Sequence, residues 1–195
     1  MEAAMTDPAD MVMDPAEQSA IAHSTAELLL ARGQTAEEAE VRETLVKFAD
    51  EHGLDTLAEL WSGAHPISLP GALWRLYLLR AALQNTPDDA ALVFQRGVET
   101  LNTIDQVVAG APDSLSGDSF ISVLDDILLG AFEGDFSFAL DRASAVAKAV
   151  SAGAIALAWD REDEARYLTS RSLTWSLIAQ ELETAAAACR AGKLS

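Results

Sequence analysis

From Ile21 to Cys189 the apolar side chains recur at helical spacing, and no stretch shows sustained apolar–polar alternation between hairpin turns. A helix with one apolar stripe is stable only when that stripe is covered by a neighbour, so the pattern predicts helices packed on helices. The expected fold class is all-α: a compact multi-helix bundle or array of antiparallel helical hairpins, about seven to nine helices joined by short loops.

The punctuation supports this reading. Ile21, Leu28 and Leu29 share a face before Gly33. After a Thr35 cap, Val41, Leu45, Phe48 and Ala49 form the next stripe, with Glu38–Arg42 and Glu43–Lys47 spaced as surface pairs. "GLDTLAELW" predicts a short helix closed by "SGAHP". In "NTPDDAA", Thr86 caps, Pro87 takes the first helical position, and Asp88 and Asp89 complement the dipole. Phe94, Val98, Leu101 and Val108 carry that helix's stripe, with a break expected at Gly97. Phe120, Leu124, Ile127 and Ala131 define another helix, which Gly134 ends. Asp135 then caps a helix with Phe136, Leu140, Ala143, Ala147 and Val150 on one face. The acidic turn "WDRED" leads into a last helix bearing Trp175, Ile178, Leu182, Ala185 and Cys189.

Residues 1–16 hold two Asp-Pro pairs and too little apolar mass to offset ordering entropy, and read as a flexible acidic tail without the basic and apolar regions of a secretory signal. The remainder, 17–195, reads as one all-helical domain, its two halves joined at the "GAPDSLSGDS" loop near 110–118.

The stretch "HPISLPGALWRLYLLRAALQ" is the candidate ligand or partner surface, with Trp74, Arg75, Tyr77 and Arg80 on one helix and Trp61 and His65 just before it. Ser68 is placed to cap the helix and Pro70 falls in its first turn. Because the segment is apolar nearly all round, it is equally the signature of a central buried helix. Arg75 and Arg80 diverge by roughly 140° around the axis and do not converge on one ligand.

With 31 acidic and 13 basic residues the formal net charge is −18. Such a field repels phosphate backbones and anionic headgroups, and Arg161, Arg166 and Arg171 are interleaved with acids, so neither nucleic acid nor membrane is an expected partner. The charge-free stretch from Leu60 to Trp74 contains two prolines and cannot span a bilayer as a helix. One cysteine, Cys189, excludes an intrachain disulfide and fits the cytoplasm, and its place on the last apolar stripe assigns it to the core.

No metal or cofactor is expected. His23, His52 and His65 share no helix face, HExxH, CxxC and Glu-x-x-His are missing, and His23–Glu27 has the spacing of a surface pair. Neighbouring carboxylates at Asp88–Asp89 and Asp125–Asp126 diverge by about 100° along a helix. No GxGxxG, Walker or GxSxG pattern occurs.

"AFEGDFSFALDRA" resembles the turn and second helix of a tetratricopeptide repeat through Gly134, Asp135, Phe136 and Ala139. "TPDDAALVFQRG" resembles the start of such a unit through Pro87 and Gly97, with Ala82 at a small position of the preceding one. Arg75, Arg96, Asp126 and Gly130 depart from the repeat pattern. The resemblance covers two partial units and implies helical-hairpin packing rather than membership. The expected function is therefore that of a non-enzymatic cytoplasmic helical protein acting through protein contacts, as adaptor, regulatory or self-associating module. The alternative is a helical small-ligand binder or enzyme with an inter-helix pocket near Trp74, Arg75, Tyr77 and Arg80.

Overall fold

The computed structural model describes residues 14–35, 54–101 and 115–194. Within them the chain forms α1 (Pro15–Thr35), α2 (Leu54–Trp61), α3 (Leu69–Gln84), α4 (Pro87–Leu101), α5 (Gly117–Phe132), α6 (Phe136–Asp160) and α7 (Ala165–Arg190), and no strand. The fold is an all-helical bundle, as the periodicity requires. The stripe at Val41, Leu45, Phe48 and Ala49, the Glu38–Arg42 and Glu43–Lys47 pairs, Val108, residues 1–13 and most of the 110–118 boundary lie outside the described residues.

Capping chemistry sets several boundaries. α1 starts at Pro15 rather than Glu17, because Asp14 accepts the Ala16 amide at 3.0 Å and proline suits the first helical position. The Ser68 hydroxyl accepts the Gly71 amide at 3.2 Å, Ser116 caps α5 through the Ser119 amide, and Asp135 caps α6 through Phe138. Gly134, at φ 131°, makes the sharp turn between α5 and α6.

Two local expectations are corrected. Gly33 does not end α1, which continues to Thr35, where the hydroxyl donates back to the Ala31 carbonyl; the helix expected after it lies outside the described residues. The inward face of α1 is Ala22, Ala26 and Gly33 with Leu29 alongside, whereas Leu28 is exposed. Small residues let α1 lie close to α5: a Cβ at Gly33 would run into the Phe132 ring.

The bundle is organised around α6 and α7, an antiparallel hairpin with the most extensive interface in the fold. The Ser144 hydroxyl donates to the Ala179 carbonyl at 2.8 Å and that of Ser151 to the Ser172 carbonyl at 2.9 Å, which pins the register. α4 crosses the other side of α6 at Gly97, where the helix runs on unbroken, and α5 closes over both. α3 lies in the middle and touches α1, α2, α4, α5, α6 and α7.

Candidate functional site

The central position of α3 decides the surroundings of the six residues singled out from the sequence. Trp61 and Tyr77 are buried, with ring centroids 6.3 Å apart. The Trp61 indole N–H donates to Thr25 Oγ1 at 3.1 Å, tying α2 to α1. Burial pushes the Tyr77 phenol well above its ordinary pKa, against the opposing pull of the Arg80 charge. Trp74 is half-buried against the core.

Arg75 Nε donates to Glu181 on α7, and its Nη1 donates to the Gly71 carbonyl at 2.9 Å. Arg80, only 8% exposed, donates through Nε to Asp125 on α5 and through Nη1 to Gln84 at 2.6 Å. The two guanidiniums thus leave α3 for different helices and do not meet. His65 is exposed in the α2–α3 loop, where its carbonyl accepts the Ser68 hydroxyl at 2.7 Å. The structure brings together Trp61, Tyr77 and Arg80, and leaves His65, Trp74 and Arg75 apart from them.

The other candidate groups sit in ordinary surroundings. His23 and Glu27 form an i,i+4 pair at 3.3 Å on the surface of α1. Cys189 is half-buried against the core, and burial together with the negative charge of Asp135 raises its thiol pKa, against the pull of Arg190, which disfavours the reactive thiolate. Among the described residues no three His, Cys, Asp or Glu side chains are grouped to hold a metal, and no helix is long and apolar enough to cross a membrane.

A different feature stands out on the hairpin. Of the eight large hydrophobic side chains exposed among the described residues, six lie on α6 and α7: Phe138, Ile155, Trp159, Tyr167, Leu173 and Leu177. Ile155 with Trp159 and Leu173 with Leu177 are i,i+4 pairs, each sharing a face. At about 100° per residue, the turn around α6 from core-facing Val150 passes Ser151 at the α7 interface and then reaches Ile155 and Trp159. Around α7 the same turn passes from Trp175 through Ser172 to Leu173 and Leu177, so both pairs open on the outer side of the hairpin. Trp159 is 84% exposed and Leu173 68%.

The hairpin carries little of the chain's net negative charge. Residues 136–190 carry seven acidic and six basic side chains, a net charge of −1 in a protein of −18. Lys148 pairs with Glu183 at 3.2 Å, and Arg190 pairs with Asp141. Sequence periodicity missed this face because it marks what a helix buries.

On the inner side, α4, α6 and the first half of α7 form an open cavity of about 160 Å³. Apolar side chains of the three helices line its floor, and Thr86, Asp89, Arg161, Glu164, Tyr167 and Arg171 border it. No family model, curated protein or solved structure matches the chain.

Proposed function

We propose that this chain is a non-enzymatic helical module of the cytoplasm that acts through protein–protein contacts, and that it self-associates through the outer face of the α6–α7 hairpin. The observation that carries this reading is the grouping of exposed Ile155, Trp159, Leu173 and Leu177 on one side of the α6–α7 hairpin, in a segment whose charge is nearly balanced. Exposed apolar side chains grouped on one face favour contact with a like surface over water. A nearly balanced segment gives little preference to a basic partner. A second copy offers the same apolar face, and a two-fold pairing of hairpins would bury all four side chains on each side.

The double variant Leu173→Glu/Leu177→Glu tests the surface. Both residues are exposed, so the variant is expected to keep its helical circular dichroism and melting temperature while light scattering on a sizing column shows only monomer. Association that survives the two glutamates would move the contact elsewhere.

A further inference from the structure

We propose that the cavity between α4, α6 and α7 is a binding site for a small apolar carboxylic acid, with the carboxylate held by Arg171. Its wall is formed by Val93 of α4, by Val150, Ala154 and Leu157 of α6, and by Leu168 and Trp175 of α7. A space of about 160 Å³ with an apolar floor and a polar border suits a short acyl chain or a single ring that carries one polar group.

The rim supplies the charge. Arg161 faces Glu164 at 3.5 Å, and Asp89 also borders the opening. Arg171 differs: its Nη1 donates to the Tyr167 phenol at 2.8 Å, its guanidinium carbon stands 5.5 Å from that ring, and no carboxylate among the described residues pairs with it. Arg75, Arg80, Arg96, Lys148 and Arg190 each meet a carboxylate. A half-buried guanidinium that stacks on a neutral phenol beside an apolar cavity retains donors for an anion, and planar bidentate pairing with a carboxylate is the interaction that geometry favours. Because the cavity faces α4 and the core rather than the outer side of the hairpin, this site is independent of self-association.

The test is titration of the full chain with octanoate and, in parallel, with octanol, followed by the indole N–H resonances of its tryptophans. Octanoate is expected to shift the Trp175 resonance saturably and to bind about tenfold or more tighter than octanol. Arg171→Gln is expected to erase that preference while leaving the weak apolar binding, and Ala154→Leu, which fills the cavity, to abolish both in a protein that still melts cooperatively. Equal affinity for acid and alcohol, a shift confined to exposed Trp159, or no saturable shift at millimolar octanoate would each overturn the proposal.

Discussion

Gly97 of α4 and Gly153 of α6 sit back to back where the two helices cross. A Cβ on Gly97 would run into the Ala149 carbonyl, and one on Gly153 into the Val93 carbonyl, so backbone meets backbone and no rotamer change relieves the clash. This crossing fixes α4 against the hairpin and thereby shapes the inner cavity. Gly97→Ala is expected to destabilise the fold by about 1–3 kcal/mol, the cost of forcing packed elements apart. Gly130, inside α5, is the control, since a Cβ there meets nothing within 4 Å. Gly130→Ala should stabilise by about 0.5–1 kcal/mol through helix propensity. Urea midpoints of the two variants check both signs, and a wild-type midpoint for Gly97→Ala would rule out the crossing.

The tryptophans of the α2–α3 region should separate in the same assay. Trp61 is 1% exposed and hydrogen-bonded to Thr25, so Trp61→Ala is expected to cost about 3–5 kcal/mol. Half-buried Trp74 should cost clearly less on truncation. The reverse order would mean that α3 is rotated about its axis relative to the packing described.

Arg80 and Arg75 form ion pairs of unequal burial. The Arg80 side chain is 9% exposed and that of Arg75 14%, while their partners Asp125 and Glu181 are 34% and 22% exposed. Losing Arg80 leaves a partner that water can reach, which holds the expected cost of Arg80→Ala to about 1.5–3 kcal/mol. Arg75→Ala should fall within the same range, because its guanidinium is less buried but the Glu181 it leaves behind is more so. Because the two guanidiniums serve different helices, their effects should add in the double variant.

Asp135 gives the bundle a pH-dependent cap. The Phe138 amide and the Ser137 hydroxyl donate to its carboxylate at 2.9 and 2.8 Å and, with the Arg190 charge, hold its pKa below the ordinary value against a small opposing effect of desolvation. A depressed folded-state pKa contributes stability that is complete above the unfolded value and is lost as pH falls through the folded one. Asp135→Ala should therefore melt lower than wild type at pH 7, and the gap should narrow on acidification below about pH 4. A gap independent of pH would show that the carboxylate charge is not what caps α6.

The helical fold was legible because stripes such as Phe120, Leu124, Ile127 and Ala131, or Trp175, Ile178, Leu182 and Ala185, record burial directly, and all eight are buried. Caps at Ser68 and Asp135 were legible because a short polar side chain ahead of a stripe has one dominant use. α1 was misread because an alanine–glycine face carries almost no hydropathy signal, and its close approach to Phe132 is a property of the partner helix. Gly97 was misread for a related reason: glycine weakens an isolated helix, and only the facing Gly153 turns it into a packing residue. The outer hairpin face and the cavity were hidden more deeply. An exposed leucine and a buried one look alike in periodicity, and the rim arginines acquire their meaning only from the helices packed beside them.

The central claim is that the outer face of α6–α7 joins two copies of this chain, and sedimentation equilibrium across protein concentration at low and high salt tests it most directly. The account predicts an average mass that rises from monomer towards dimer with concentration, and rises further with salt as screening removes repulsion between two chains of charge −18. A monomer mass at every concentration and salt, or association that weakens as salt is added, would contradict it.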